Sequence, residues 1–338
     1  MVHSGGFYIV EKRRIGPGEV PAVLHWFKWE AMLTWISGIA LLVVVYYLSG
    51  GAYLLDPAVS GLTRSAATAL GVGVLTVGWL VYDLLWRSPV AERRGVAGAI
   101  SLALLAATTV ALCRLLAGRA AFMHVGALLG TVMVANVWMR IIPAQREMVE
   151  ATKAGRSPDF TLGERAKRRS VHNSYMTLPL LFIMLSNHYP ATYAGPLNWL
   201  VLFLLMVAGA AARHVMIVGV RTAPWTLVPA TLALGAALLV SAPRSAPPGA
   251  GAPPFAEVRA VITARCLPCH SAYQTDPTFG PQPGGVAFDT PESVRRLAER
   301  IRVRAVETQT MPLANKTGMT PDERELLGRW IAGGAPLQ

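Results

Sequence analysis

Charge is scarce in this chain. Of 338 residues, 15% are Asp, Glu, Lys or Arg, where an ordinary soluble domain carries about 25%. The mean hydropathy is +0.42. Together these exclude a water-solvated globule of usual composition and point to lipid. Cysteine is scarce too. Cys113 stands alone in an apolar run, and Cys266 and Cys269 share one short motif. No disulfide framework can be built from them. Acidic residues are the rarer sign, 19 against 31 basic, for a net charge of +12. A basic chain suggests a nucleic-acid partner. That partner is excluded here, because the basic residues lie between apolar runs. The apolar runs lack alternation, which excludes a membrane β-barrel. The opening "MVHSGGFYIVEKRRIGPGEVP" lacks the pattern of a cleavable leader, so the first apolar run is expected to serve as the export signal.

What is present is a series of apolar runs. They cover residues 31–55, 65–82, 95–113 and 120–139. A stretch without formal charge follows over 170–212, divided by the Pro-containing segment 188–196, and the last run is 222–242. A helix needs about 20 apolar residues to cross the hydrocarbon layer. The expected architecture is all-α: a polytopic transmembrane bundle of about seven spans. With the N-terminus (residues 1–30) cytoplasmic, one side of the membrane receives 17 Lys and Arg and the other receives 4. The positive-inside bias fixes that orientation. Seven crossings then put everything after residue 242 on the periplasmic side of a bacterial inner membrane. Residues 243–254 form a Pro/Ala/Gly linker, which separates the membrane part, 31–242, from a tail, 255–338.

The tail carries Cys266-Leu-Pro-Cys269-His270. Two thiols at this spacing can add to the vinyl groups of haem, with the adjacent His on the iron. A zinc ribbon would need two more ligands, and no Cys or His follows His270. The expected cofactor is therefore covalent haem c. Met311, followed by Pro312, is the preferred second axial ligand, with Met319 the alternative. Around the motif, Phe255, Val258 and Ile262 share one helical stripe, as do Val294, Leu297 and Ile301. Thr320-Pro321-Asp322-Glu323 opens a final helix with buried face Leu326, Leu327, Trp330 and Ile331, ended by Gly333-Gly334. Helix, haem motif, helix, Met loop, helix is the plan of a class I cytochrome c domain.

Ionisable groups inside spans are costly and usually functional. An inner set comprises His25, Lys28, Glu30, Asp83, Arg87, Asn136, Arg140, His172, Asn173, Arg213 and His214. An outer set comprises His124, Asn187, His188 and Tyr189. Lys28, Arg87 and Arg213 can be read as snorkelling, and Trp26, Trp29 and Trp86 as an interfacial belt. Asp83, Asn136, Arg140 and His172, with His124 and His188, are the candidate catalytic residues. His124 and His188 facing one another would also offer a site for a b-type haem.

Five stretches resemble one family: "LHWFKWEAMLTWISGIALL" (24–42), "AYLLDPAV" (52–59), "GTVMVANVWMRIIPAQREMV" (130–149), "RRSVHNSYMTLPLLFIMLSNHYPATY" (168–193) and, in the tail, "TMPLANKTGMT" (310–320). They are similar to the membrane-bound cytochrome c-type urate oxidases, or urate hydroxylases. The resemblance implies oxidation of urate to 5-hydroxyisourate, with the oxygen atom from water. It implies electron flow through the fused haem c to a terminal cytochrome oxidase or a soluble cytochrome c. It also implies one further span ahead of residue 1. The reading from a different class is a non-enzymatic, membrane-anchored cytochrome subunit of a respiratory complex. One anchor span would suffice for that role.

Overall fold

A computed structural model describes residues 2–3, 6–7, 28–49, 51–219, 221–222, 224–242, 252–276, 278 and 280–338. His25, Trp26 and most of the 243–254 linker lie outside the described residues. Those described are helical apart from turns and one short ladder, in which β1 (Val2–His3) pairs antiparallel with β2 (Gly6–Phe7).

Among the described residues, eight α-helices precede the tail. They are α1 (Lys28–Leu42), α2 (Arg64–Leu85), α3 (Arg94–Leu115), α4 (Gly118–Asn136), α5 (Ile142–Lys153), α6 (Phe160–Ser186), α7 (Asn198–Val218) and α8 (Leu227–Ser241). Among the described residues, six helical stretches are long and apolar enough to cross a membrane: Lys28–Tyr47, Arg64–Leu85, Arg94–Leu115, Gly118–Lys153, Asn198–Val218 and Pro224–Ser241. The span expected on α6, the fifth apolar run, is not among them. Its 27 residues suffice in length, but its N-terminal half holds Glu164, Arg165, Lys167, Arg168, Arg169, His172 and Asn173. Only the C-terminal half, from Met176, is apolar.

Among the described residues, two π-helical turns lie before the tail and a third, Arg302–Glu307, lies within it. A five-residue π-helical turn, Val43–Tyr47, continues α1, and a second, Val137–Ile141, joins α4 to α5. Such turns cost regular hydrogen bonding and recur at functional sites. The first has a visible effect. Tyr46 and Tyr47, adjacent in sequence, are both buried and both set their rings against His124. Consecutive residues of an α-helix point about 100° apart, and the wider turn narrows that angle.

Two compact units divide the chain, residues 1–35 with 133–174 and residues 36–132 with 175–338. In the first, the indole N–H of Trp138 donates to the Lys28 carbonyl at 3.0 Å. The Lys28 ammonium lies 5.4 Å from the Trp29 ring and 5.3 Å from the Trp138 ring. In the second, α7 packs on α8 and on α3, and α3 on α2. Its membrane-part core includes Leu42, Leu112, Leu116, Phe122, Val125, Ile183 and Leu202. Small residues permit the closest approaches. A Cβ on Gly118 would sit 2.1 Å from the carbonyl of Tyr193.

The tail holds four helices of its own: α9 (Phe255–Arg265), α10 (Pro291–Arg296), α11 (Ala298–Ile301) and α12 (Pro321–Ala332). The expected stripes are its core. Val258, Ile262, Val294, Leu327 and Trp330 are fully buried, and the Phe255 and Trp330 rings lie 5.8 Å apart. Thr320, the expected N-cap, forms a capping box with Glu323, and Thr290 forms another with Ser293. The stripe from Val294 to Ile301 is broken at Leu297 into α10 and α11. At the other end of α12, Gly334 takes φ +87°, as expected of a stop.

Candidate functional site

Three groups of chemically capable residues emerge. The first surrounds His124, which is fully buried on α4. Its Nδ1 lies 2.7 Å from the Ala120 carbonyl, and a carbonyl can only accept. Nδ1 therefore carries the proton, and Nε2 accepts from the Tyr47 hydroxyl at 2.9 Å. The π-helical turn that presents Tyr47 is itself gripped. Arg64 donates through Nε and Nη2 to the Tyr47 carbonyl at 3.2 and 2.6 Å. On α2, Gly71 leaves room for the pair: a Cβ there would stand 2.4 Å from the Tyr47 hydroxyl and 2.6 Å from His124 Nε2. Beside them, Arg119 donates from Nε to Asn187 Oδ1 at 2.9 Å, and its guanidinium carbon lies 5.3 Å from the Tyr53 ring centroid.

The second group centres on Asn136, also fully buried. Its amide donates to Asn173 Oδ1 at 2.9 Å, and Asn173 donates to the Met133 carbonyl at 2.9 Å. Arg168, Arg169, His172 and Asn173 follow one another on α6, and Arg169 is buried. Arg140 lies on the π-helical turn after α4, half-buried, and donates weakly to the Met139 carbonyl at 3.4 Å. A further contact in the other unit joins the Tyr175 hydroxyl to His214 Nδ1 at 2.6 Å.

The third group is in the tail. Cys266 and Cys269 are free thiols in the turn after α9. Burial pushes the Cys266 thiol up to about 12, and burial, then Asp276, raises Cys269. His270 Nδ1 donates to the Val286 carbonyl at 3.2 Å, leaving Nε2 for another partner. Burial lowers the pKa of His270, and a neutral imidazole oriented by a carbonyl is the form that ligates iron. The two candidate thioethers part company here. Met319 is buried in the tail core, whereas Met311 lies outside that core and is half-exposed. The Met311 backbone is held at both polar atoms: its N–H donates to the Arg304 carbonyl at 2.9 Å, and its carbonyl accepts from the buried Arg324 at 2.7 Å.

Other expected residues are less concentrated. Asp83 is buried on α2 and pairs at 3.7 Å with Arg87, in the turn that follows the helix. That is a local structural bond. His188 is exposed beyond the end of α6, while His124 is sealed and its Nε2 taken by Tyr47. Sequence reading missed Tyr46, Tyr47, Gly71, Arg119 and Arg324. Arg119 had counted only as a loop charge. The tyrosines looked like the tail of an apolar run, and a glycine in a span carries no chemistry of its own.

Taken together, fold and site define a helical protein compatible with a membrane, with polar pairs buried among apolar helices and a small helical tail bearing a Cys-x-x-Cys-His turn. The chain belongs to the urate oxidase N-terminal family, whose model matches residues 1–242. No match is found among curated proteins or solved structures. Family membership points to urate-related chemistry and to an oxidoreductase.

Proposed function

We propose that this chain is a membrane-bound urate oxidase that converts urate and water to 5-hydroxyisourate and passes the electrons to haem c in its own tail, and onward to a terminal cytochrome oxidase or soluble cytochrome c. One observation carries the reading. The family match ends at residue 242, and the thiols, histidine and thioether of a haem c site follow within the same chain. The residues fit that group. Cys266 and Cys269 are unpaired, His270 has Nε2 uncommitted and its tautomer set, and Met311 is anchored by its backbone outside the core. Bound there, haem c supplies a one-electron acceptor of raised potential.

The balance explains why such an acceptor is wanted. Urate anion and water give 5-hydroxyisourate anion with release of two electrons and two protons. No dioxygen is consumed at the site and no peroxide is made. The chain's own residues must bind a flat anion, admit one water and take up protons. Buried asparagines, arginines and a tyrosine–histidine pair are groups suited to that work. A mere electron-carrier subunit requires one anchor, not six apolar helices with polar pairs buried among them. A second, b-type haem on His124 and His188 does not fit these residues as they stand, and no step is derived through it. The proposed location is a bacterial inner membrane with the tail periplasmic; from a cytoplasmic N-terminal segment, that placement counts α6 as a crossing beside the six apolar helices.

The test is direct. Urate added anaerobically to the oxidised, purified full-length protein is expected to bring up the bands of a reduced c-type haem. Persistence of the ferric spectrum with excess urate refutes the proposal.

A further inference from the structure

Resting on that reading, we infer that the purine anion binds at the Arg119–Asn187–Tyr53 cluster, with the Tyr47–His124 pair as its proton acceptor, rather than among the Asn136, Arg140 and His172 residues.

The first support is complementarity. A flat, electron-rich anion asks for a cation, an amide that can meet a ring carbonyl or N–H, and an aromatic face. Arg119, Asn187 and Tyr53 supply these three groups, and they are in mutual contact: Arg119 meets the Asn187 amide oxygen at 2.9 Å and the Tyr53 ring at 5.3 Å. All three are half-buried, so a ligand can reach them.

The second support is a donor held on a weak acceptor. Asn187 Nδ2 has the thioether sulfur of Met123 as its partner. Thioether sulfur is among the poorest acceptors in proteins. A purine carbonyl oxygen replaces it at a net gain in hydrogen bonding.

The third support is the arrangement behind this mouth. The Tyr46 ring lies 6.0 Å from that of His124. The Tyr47 hydroxyl is hydrogen-bonded to an imidazole nitrogen whose tautomer is fixed by Ala120. A proton arriving on the Tyr47 oxygen releases the hydroxyl proton to His124 Nε2. The imidazolium so formed keeps its Nδ1–H bond to Ala120. One of the two protons of urate oxidation is thereby accounted for without moving either ring. The second leaves with solvent, and the two electrons leave to the haem-class acceptor. Around His124 stand Tyr46, Tyr47, Gly71 and Ala120; Arg64 holds the Tyr47 carbonyl, and Arg119 is the cation of the mouth. No carboxylate is among these partners, so the imidazolium is transient and returns its proton after turnover.

The decisive experiment measures binding apart from turnover. Full-length protein is held reduced with dithionite, so that urate cannot pass electrons on, and radiolabelled urate is followed by equilibrium dialysis. Arg119→Ala is expected to weaken binding at least tenfold, Asn187→Ala several-fold and Arg119→Lys by an intermediate amount. Arg114→Ala, which removes a like charge at the end of α3, is expected to bind as wild type. Tyr47→Phe is expected to bind normally and to lose at least tenfold in the rate at which urate reduces the haem. Unchanged binding in both Arg119 variants overturns the assignment, as does weakened binding in Asn136→Ala or Arg140→Ala with Arg119→Ala intact. The functional reading fails separately: wild-type protein that neither binds urate nor is reduced by it removes the substrate itself.

Discussion

The membrane part and the tail obey opposite solvation rules within one polypeptide. In the membrane part, large apolar side chains such as Leu232, Leu238 and Leu239 are outward and exposed, whereas His124, Asn136 and Asp83 are buried. In the tail, Leu327 and Trp330 are buried, and Tyr273 is the one large hydrophobic residue exposed among the described residues. The two parts are also stabilised differently. The tail uses capping boxes and ion pairs such as Arg265–Glu323 at 3.0 Å. The membrane part has Asp83 paired with Arg87 at 3.7 Å and Thr63 capping α2. Its buried polar bonds join pairs of side chains, or a side chain and a carbonyl, inside an apolar shell. Where no water competes, a buried polar group must find its partner within the protein, and the partners become few and fixed.

The sharpest way to break the comparison is to remove the tail's chemistry and leave the membrane part intact. Replacing Cys266 and Cys269 together by Ala is expected to abolish covalent haem, read as complete loss of the haemochrome spectrum, and to end electron transfer from urate. Next comes the tail core. Trp330→Ala is expected to cost about 3–5 kcal/mol and also forfeits the indole bond to the Pro336 carbonyl at 2.7 Å; denaturant unfolding followed through the haem band checks it. In the membrane part, Gly71→Ala forces a methyl against Tyr47 and His124 and is expected to cost about 1–3 kcal/mol as overpacking, measured as loss of thermal stability in detergent. Thr320→Ala removes an N-cap and is expected to cost about 1 kcal/mol.

The smallest effect is a pH dependence confined to the tail. Asp289 accepts from the Ser271 hydroxyl at 2.6 Å and from the Ala272 N–H at 3.0 Å, and these bonds hold its carboxyl below the usual range. Asp276 is held low by Lys316, 2.5 Å away, and by Thr278. A carboxylate depressed in the folded state stabilises fully above its unfolded value, about 3.9, and loses that contribution as pH falls through the folded value. Hydrogen exchange in the intact chain is expected to show tail amides loosening below that point. In Asp289→Asn the same loosening is expected to be shallower.

Much of the fold was legible because it depends on periodicity. Apolar runs located α1 to α4, α7 and α8, and the motif Thr-Pro-Asp-Glu located the last helix of the tail. The span expected on α6 is less apolar than its lack of formal charge suggested over residues 170–175, where His172, Asn173, Ser174 and Tyr175 are polar without counting as charged. The candidate sites were legible only as a scatter of costly side chains. That Tyr47 belongs with His124, and that Gly71 makes space for both, depends on a π-helical turn and on residues 24 and 77 positions away from Tyr47 along the chain. No local pattern encodes that.

The composite make-up of α6 bears on biogenesis. An apolar helix can leave the translocon for lipid by itself, but a helix whose first half carries Arg168, Arg169, His172 and Asn173 gains little until other segments offer those groups partners. Asn173 donates to Met133 and accepts from Asn136, so its half of the helix is at home only once the end of α4 is in place. On the proposed membrane location, insertion of that segment and folding of the interior around it would be one event.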